Sequence, residues 1–396
     1  MTKICSLPFT HLATHPHGGV TLCCISDHTN AASSARTNGK ILNLNEDSIT
    51  DVMNSDYFKQ VRVQMKNGIE PDACKRCYDE ERKGIKSKRI EENDRYLDSS
   101  KSVIEGMRED GTIDVDFKFL ELRLGNICNL RCRTCNPASS TKWVVEYTKM
   151  QKELKFVTDY SSVQKGVWFE DDKFWNDLLS KSNSLERIYI NGGEPTLVEK
   201  HFVYLEKLIE NNLHKQINLW YNINLSQVPE KLIELWSQFK SVNVSVSIDD
   251  LKERNSYIRN GSDWDNLHDN LLKLKKLDWI NLSIVQTIST YNVLYLHEFY
   301  QYFQNELNIH VHLNWCYDPG YLSPWILPID IKKQIVENCS KVMKPWDLHN
   351  VEQTLQKASD STELEKFLDY TKWLDTSRKE SFSQVFPELA SLLKWN

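Results

Sequence analysis

The chain has 396 residues, a formal net charge of −6 and a pI near 6.0, so it is long enough for a large core and for more than one domain. The acidic balance argues against a nucleic-acid-binding surface, and no apolar run reaches the roughly 18 residues of a membrane span. The start MTKICSLPFT lacks the basic and apolar segments of a secretory signal.

Cysteine is the residue type that carries the most information here. The chain contains ten cysteines, and eight of them lie in two groups, five within residues 1–90 and three within residues 128–135. In a chain of this size such grouping favours metal ligands over a disulfide scaffold, and metal-binding thiols are typical of a reducing compartment. We therefore expect a cytoplasmic protein.

The N-terminal part, residues 1–90, holds the first cysteine group. An early Cys5-Ser-Leu-Pro is followed by the hairpin-like run Gly-Gly-Val-Thr-Leu-Cys23-Cys24, a helix-like segment with Phe and Arg, and a closing Cys74-Lys-Arg-Cys77. The pattern resembles the SPASM/twitch domain, which binds an auxiliary iron–sulfur cluster. That domain usually follows its catalytic barrel, whereas here it comes first.

The SPASM/twitch resemblance implies a ligand set for one auxiliary [4Fe–4S] cluster. The four ligands would be Cys5, Cys23, Cys74 and Cys77. Cys24 is an alternative to Cys23, because adjacent residues on a strand point to opposite faces. A zinc ribbon also uses paired cysteines and is the structural alternative. We take His15 and His17, beside the hairpin, as surface loop residues.

Residues 91–116 are charged and are expected to form a linker with a helix that leads into the middle part. Residues 117–320 then alternate between strand-like and helix-like runs. The strand-like runs are FLELRL (119–124), LERIYI (185–190), QINLWYNI (216–223), SVNVSVSI (241–248), NLSIVQTI (281–288) and HVHLNW (310–315). This alternation predicts a parallel sheet with helical crossovers, whose chemistry sits at the carboxyl ends of the strands.

The run Cys128-Asn-Leu-Arg-Cys132-Arg-Thr-Cys135 directly follows the first of these strands. Its spacing can place three thiolates on one small loop. A cubic [4Fe–4S] cluster has four iron corners, so three local ligands leave one iron open to another molecule. A zinc site with a distant fourth ligand and a chance grouping of ordinary thiols are the alternatives.

A second motif, Gly192-Gly193-Glu194-Pro195, ends the second predicted strand. The glycines allow a sharp bend and a close approach to a ligand, Glu194 offers a carboxylate acceptor, and Pro195 restricts the turn. A plain strand-to-helix turn is the simpler interpretation.

Together, the cysteine loop and the GGEP turn resemble the radical S-adenosylmethionine (SAM) superfamily over about residues 117–320. The resemblance implies an α/β fold with a partial (β/α)6 barrel. It also implies that the Cys128, Cys132 and Cys135 thiolates hold a [4Fe–4S] cluster and that the GGEP turn binds the amino group of SAM.

The resemblance also assigns roles to residues after the third and fourth strands. Asn222 would bond the cofactor or substrate, or else cap a turn; Ser247 would bond the ribose hydroxyls. Asp249 would face the substrate or organise its loop. Arg259 would pair with the SAM carboxylate, or else lie on a helix surface. Thr134 is a departure, since many relatives carry an aromatic residue there.

The function implied by the family is reductive cleavage of SAM to methionine and a 5′-deoxyadenosyl radical, which removes a hydrogen atom from a substrate. The implied partners are an electron donor such as flavodoxin or ferredoxin and a substrate. We expect a peptide or protein substrate by analogy with SPASM-containing relatives; a small metabolite, sugar or nucleotide is the alternative. A non-catalytic iron–sulfur or zinc-binding protein is the alternative from another class.

The last part, residues 321–396, is predicted to be mostly helical and either closes the barrel or binds a partner. Two cysteines remain outside the groups. Cys339 lies in a helix-like segment and is expected to be buried packing. Cys316 ends the sixth strand, where a thiol could donate a hydrogen atom to a substrate radical; a small apolar filler is the simpler interpretation.

Overall fold

The computed structural model describes residues 3–26, 32–163 and 165–395. Ten strands occur within these residues: β1 (His11–Thr14), β2 (Val20–Thr21), β3 (Arg36–Thr37), β4 (Lys40–Ile41), β5 (Phe119–Leu124), β6 (Arg187–Gly192), β7 (Asn218–Ile223), β8 (Ser241–Ser247), β9 (Ile280–Ile288) and β10 (His310–Trp315). The six runs predicted as strands correspond to β5 through β10, with ends that differ by no more than two residues.

The same described ranges contain 18 α-helices. They are α1 (Leu7–Thr10), α2 (Ile49–Met53), α3 (Asp56–Lys66), α4 (Lys75–Arg82), α5 (Lys88–Tyr96), α6 (Lys101–Glu105), α7 (Val144–Glu153), α8 (Asp172–Ser180), α9 (Lys200–Glu210), α10 (Glu230–Trp236), α11 (Lys252–Ile258), α12 (Trp264–Lys275), α13 (Leu296–Tyr300), α14 (Ile329–Ser340), α15 (Pro345–Leu355), α16 (Ser361–Arg378), α17 (Phe382–Val385) and α18 (Pro387–Leu392). Residues 321–395 are mostly helical, as predicted.

The chain divides into two compact units. The first comprises Met1–Ile127, Gln164–Tyr221 and Pro229–Val242, and the second comprises Cys128–Val163, Asn222–Val228 and Asn243–Asn396. Each unit combines segments of more than one predicted domain. The boundaries near 90, 116 and 320 therefore stay a prediction from the sequence.

In the first unit, the strand order is β2-β1-β5-β6-β7. β1 pairs antiparallel with β2 and parallel with β5, where His11 lies opposite Phe119. β5 and β6 pair in parallel, as do β6 and β7. The cysteine-rich N-terminal part thus adds a strand directly beside β5, the strand that leads into the cysteine loop.

β5 and two helices of the same unit bury apolar side chains. Five of the six β5 residues are buried, which is typical of a parallel strand covered on both faces. Helix α8 presents an apolar face of Phe174, Trp175 and Leu178, and helix α9 buries Phe202 and Leu205 among others. Such amphipathic helices bury one face against a sheet.

In the second unit, β9 and β10 pair in parallel over six residue pairs, from Ser283 with His310 to Ile288 with Trp315. β8 is the other neighbour of β9. A continuous apolar core surrounds Tyr291 and includes Phe367, Phe382 and Phe386 from the C-terminal helices. The C-terminal part is therefore integral to the core of this unit.

The parallel strands with intervening helices confirm the predicted α/β class. Among the helices of the described segments, none is both long enough and apolar enough to cross a lipid bilayer.

Candidate functional site

Four cysteines of the N-terminal part line one cavity in the first unit. Cys5, Cys23, Cys74 and Cys77 all contribute to its wall. The other lining side chains are mainly apolar, such as Leu7, Leu22, Ile25 and Met65. The chain thus gathers four thiols, separated by up to 72 positions in the sequence (77 − 5), around one space.

The electrostatic environment of these thiols reflects their convergence. Burial raises the pKa of the Cys5 thiol well above its ordinary value, and the neighbouring Cys23, Cys74 and Cys77 raise it further. Burial also raises the pKa of Cys23 to about 12. In the absence of a cation these thiols stay protonated, so metal binding must displace their protons.

The segment that carries Cys5 is held by side chains from α4 and α5. The Tyr78 hydroxyl donates to the carbonyl of Lys3 at 2.8 Å. Arg89 Nη1 and Asn93 Nδ2 both donate to the carbonyl of Ile4, each at 2.8 Å. These bonds attach the Cys5 segment to the helices that follow the Cys74–Cys77 pair, and sequence reasoning missed them because they join distant positions.

The side chains of Cys23 and Cys24 diverge. Cys23 lines the cavity, and Ser26 donates through its hydroxyl to the Cys23 carbonyl at 2.8 Å. Cys24 is absent from the lining of that cavity; its thiol bonds instead to Glu121, and burial and this carboxylate raise its pKa. The structure therefore brings Cys23, rather than Cys24, together with the other three cysteines.

Four thiols around an apolar cavity fit an iron–sulfur cluster, because thiolates are the usual ligands of its iron corners. Among residues 3–26, 32–163 and 165–395, no three His, Cys, Asp or Glu side chains converge closely enough to hold a single metal ion.

The second cysteine group lies at the start of the second unit. The amide of Cys135 donates to the carbonyl of Cys132 at 2.9 Å, which curls the loop back on itself. Burial raises the pKa of Cys132 to about 11. Burial also raises the pKa of Cys135, and the neighbouring Cys132 and Cys128 raise it further. The three thiols therefore lie close enough to interact electrostatically.

Arg259, which the family resemblance assigns to the SAM carboxylate, lies beside these thiols. Its Nη1 donates to Asp249 Oδ2 at 3.2 Å, and its side chain is only 10% exposed. Burial alone lowers the pKa of this guanidinium, but Cys132 and Asp249 raise it above its ordinary value. Arg259 is therefore a buried cation, and not the helix-surface residue of the simpler interpretation.

Asp249 organises its loop. Its Oδ1 accepts from the backbone N–H of Thr287 at 3.0 Å, while its carbonyl accepts from Gln286 Nε2 and Asn292 Nδ2. The carboxylate is fully buried. These bonds connect the end of β8 to β9 and orient the carboxylate toward Arg259.

The GGEP turn lies in the first unit and is bonded to the residues that lead into the cysteine loop. Gly192 has φ +135°, a conformation that favours glycine. The amide of Gly193 donates to the carbonyl of Gly125 at 3.0 Å, and the amide of Glu194 donates to the carbonyl of Ile127 at 2.8 Å. Ile127 directly precedes Cys128 in the chain.

The Glu194 carboxylate is itself held in place. Its Oε1 accepts from the backbone N–H of Thr196 at 3.1 Å and from the Thr196 hydroxyl at 2.8 Å. The residue is 1% exposed, and Pro195 begins the short 3₁₀ helix that follows. A buried, oriented carboxylate of this kind suits recognition of a cationic group.

We expect Gly193→Ala to destabilise the protein by about 1–3 kcal/mol, because an added Cβ would overlap the carbonyl of Ile127 and backbone cannot move cheaply. Gly320→Ala is the matched control, since its nearest neighbour is the flexible end of the Glu363 side chain at 3.0 Å. Urea unfolding of both variants measures the difference. Equal midpoints for the two variants would show that the turn tolerates a side chain.

The remaining predicted residues are placed as follows. Asn222 and Ser247 are half-buried near the ends of β7 and β8. Cys316 is buried in the apolar core of the second unit, where its thiol lies 3.7 Å from the carbonyl of Asp318. Burial raises its pKa to about 12. Cys339 lies in the same core, as predicted.

Asn224 is a site residue that the sequence analysis missed. Its Nδ2 lies 3.9 Å from the Sγ of Cys128 and donates to Asn129 Oδ1 at 2.8 Å. Asn129 in turn donates to the Ser226 hydroxyl at 2.8 Å. The signal was available in the run Asn-Ile-Asn after β7, where the sequence analysis singled out Asn222.

Comparisons with known proteins agree with this picture. Residues 5–78 match the SPASM family, an iron–sulfur cluster-binding domain, which confirms the predicted domain. Over 138 residues the chain is 27% identical to a GTP 3′,8-cyclase of Actinobacillus pleuropneumoniae serotype 3 (strain JL03), covering 35% of this chain and 34% of that protein. The chain thus matches about a third of the length of this curated relative.

Two solved structures align with parts of this chain. Native anSMEcpe with bound AdoMet aligns over 55% of this chain and 57% of its own, with 19% identity and a TM-score of 0.39. Streptococcus suis SuiB bound to precursor peptide SuiA aligns over 88% of this chain and 71% of its own, with 13% identity and a TM-score of 0.34.

The comparisons assign one part of the chain to a family. The SPASM match covers the first cysteine group, whereas the cysteine loop and the GGEP turn lie beyond it. Residues 5–78 therefore form an iron–sulfur cluster-binding domain of the SPASM family, and the radical SAM resemblance of residues 117–320 stays a prediction from the sequence.

Proposed function

We propose that the chain is an enzyme that reductively cleaves SAM and removes a hydrogen atom from a substrate. When bound, a reduced [4Fe–4S] cluster and SAM supply a 5′-deoxyadenosyl radical for this step. Cys128, Cys132 and Cys135 would hold the cluster. An electron donor such as flavodoxin or ferredoxin would reduce it in the cytoplasm.

The observation that carries this proposal is the pair of backbone bonds at the GGEP turn. A metal-binding loop alone needs no neighbouring recognition turn. Here the amides of Gly193 and Glu194 bond to the carbonyls of Gly125 and Ile127, which are the residues that lead into Cys128. A turn whose backbone is bonded to the entry of a three-cysteine loop is the arrangement expected when the cluster and its ligand are recognised together.

The roles at the SAM site follow from charge. SAM carries a methionine ammonium and a methionine carboxylate. The buried Glu194 carboxylate suits the ammonium, and the Arg259 guanidinium suits the carboxylate. We assign Ser247 and Asn222 to polar contacts with the ribose or substrate. Cys316 is not assigned a role, because its core environment supports simple packing.

The N-terminal cavity would hold the auxiliary [4Fe–4S] cluster through Cys5, Cys23, Cys74 and Cys77. Its mainly apolar wall limits water access, which is a means by which proteins tune the potential of a cluster. The auxiliary cluster would take an electron from the product radical or hold the substrate.

A peptide or protein is the substrate class we favour, because a SPASM domain accompanies peptide modification in many relatives. A nucleotide is the second candidate. The specific observation in its favour is the 27% identity to a GTP 3′,8-cyclase over 138 residues.

We expect anaerobically reconstituted full-length protein to form 5′-deoxyadenosine and methionine in equal amounts when SAM and dithionite are added. Without dithionite, neither product should form, since cleavage needs an electron. Chromatographic measurement of both products checks the proposal. No cleavage by protein that contains its full complement of iron would show that the radical assignment is wrong.

The same assay separates the two substrate classes. One arm adds a synthetic peptide encoded by a short gene adjacent to the gene for this chain, and the other adds GTP. Faster 5′-deoxyadenosine formation with a mass change in the peptide supports the first class, and faster formation with consumption of GTP supports the second. Cleavage that neither addition accelerates would contradict both of these substrates.

A further inference from the structure

Arg133, inside the cysteine loop, is the most extensively bonded side chain in that segment. It follows Cys132 directly and is completely buried. Its backbone N–H donates to the carbonyl of Ile258 at 2.6 Å, and its carbonyl accepts from the Tyr370 hydroxyl at 2.8 Å. Both backbone groups of this residue are therefore bonded to distant parts of the second unit.

The Arg133 guanidinium contacts two carboxylates of the C-terminal part. Its Nη2 lies 2.7 Å from Asp375 Oδ1 and 2.5 Å from Glu380 Oε2. Its Nε donates to the carbonyl of Tyr257 at 3.1 Å, and the guanidinium lies 3.6 Å from the centre of the Tyr257 ring. Burial alone lowers the pKa of Arg133, but Tyr291, Tyr257 and the two carboxylates raise it above its ordinary value.

The two carboxylates are themselves held by further bonds. Asp375 accepts from the Tyr257 hydroxyl at 2.6 Å and from the backbone N–H of Phe382 at 2.6 Å. Glu380 accepts from Asn260 Nδ2 at 2.7 Å. Helix α16 ends between them, at Arg378, and the next residue, Lys379, has a φ of +55° that turns the chain so that both carboxylates reach the same guanidinium.

A second contact joins the same helix to the cysteine loop. Arg378 donates to both carboxylate oxygens of Glu146 on α7, and its guanidinium lies 4.6 Å from the centre of the Trp143 ring. The indole N–H of Trp143 donates to the carbonyl of Cys132 at 3.0 Å. Arg131 Nη1 lies 3.6 Å from Glu146, so both arginines of the loop face carboxylates.

From these contacts we infer that the end of α16 and the turn after it, residues 370–382, form a clamp that positions the cysteine loop. Arg133 is the positioning residue through which the clamp acts. Its charge is neutralised by Asp375 and Glu380, so it remains buried beside the ligand Cys132 without pairing to a thiolate. The inference deepens the proposed function and rests on it for the role of the loop.

Burial of the Arg133 guanidinium explains why its carboxylate partners matter. A buried guanidinium with no partner is strongly unfavourable, whereas one with hydrogen-bonded carboxylates is tolerated. Loss of a carboxylate from the clamp therefore favours conformations in which Arg133 reaches water. Because Arg133 is adjacent to Cys132, such conformations move a cluster ligand.

Hydrogen exchange of the full-length protein tests the clamp without relying on activity. In metal-free protein, we expect Glu380→Ala to accelerate exchange of the amides of residues 131–135 at least tenfold. Glu380→Gln should restore part of the protection, because its single amide oxygen can still accept from Arg133, although the bond from Asn260 to the other oxygen is lost. Asp369→Asn, an exposed carboxylate on the same helix, should leave loop exchange unchanged.

Two comparisons make the outcome decisive. Amides of α9 in the first unit should keep their protection in every variant, so a general loss of structure is distinguished from a loosened loop. If Glu380→Ala unfolds the chain, the loop exchange of Glu380→Gln is compared with that of Asp369→Asn instead. Unchanged exchange of residues 131–135 in the folded Glu380 variants would overturn the clamp.

The test also separates this inference from the proposed function. After iron loading, we expect Glu380→Ala to lose iron from the Cys128, Cys132 and Cys135 site to a chelator at least tenfold faster than the unaltered protein. A chain that cleaves SAM while its Glu380 variants keep full loop protection would refute the clamp alone. If the Glu380 variants loosen the loop, but the chain binds no cluster at Cys128, Cys132 and Cys135, the proposed function alone would be refuted.

Discussion

Replacement of Cys128, Cys132 and Cys135 together by alanine should abolish SAM cleavage while about four irons per chain remain bound. The three thiols lie in one loop and interact electrostatically, so their removal eliminates that cluster site. The other four cysteines line a separate cavity, with walls that include none of the three. Iron, sulfide and zinc analysis of the anaerobically reconstituted variant measures the result.

The opposite outcome is equally informative. Near-zero iron, with about one zinc per chain, would make the N-terminal part a structural zinc module. The chain would then contain a single cluster, and the auxiliary redox step would have to be abandoned. The unaltered protein, with about eight irons per chain expected for two clusters, is the reference for both results.

Cys23→Ala is expected to remove the auxiliary cluster, whereas Cys24→Ala should retain it. The two cysteines are adjacent in the chain, but only Cys23 lines the cavity with Cys5, Cys74 and Cys77. The Cys24 thiol bonds to Glu121 on β5 instead. We therefore expect Cys23→Ala to lose about four irons per chain and Cys24→Ala to lose none.

The matched pair controls for position, because both substitutions remove a sulfur from the same loop. Iron content with and without the cysteine-loop substitutions attributes the loss to one site or the other. Equal iron loss in the two variants would mean that either thiol can serve as a ligand, and loss in Cys24→Ala alone would reverse our assignment.

Much of the fold was predictable because its signal is local. The six strands from β5 to β10 are short apolar or alternating runs, and alternation is visible in β8, where Val242, Val244 and Val246 are buried in turn. Side chains that alternate between two faces leave this pattern in any sequence. The SPASM domain was likewise predictable, since its cysteines and glycines occur at characteristic spacings.

Other features depended on contacts between distant positions. The pairing of β1 with β5 brings the N-terminal part beside the first strand of the repeat, although 108 positions separate the paired residues His11 and Phe119 (119 − 11). The hydrogen bond from Asn224 to Asn129 and the contact of Asn224 with the Cys128 sulfur similarly join segments about a hundred residues apart. Spacing within a motif contains no information about such partners.

The sequence by itself determined which thiols are grouped, which turn follows which strand, and that residues 5–78 form a SPASM domain. These follow from residue type and local spacing, because ligand atoms and backbone turns have fixed local requirements. Only the tertiary structure decided that Cys23 rather than Cys24 faces the cavity and that the C-terminal helices clamp Arg133. The direction of a side chain and the burial of a charge depend on every element packed around them.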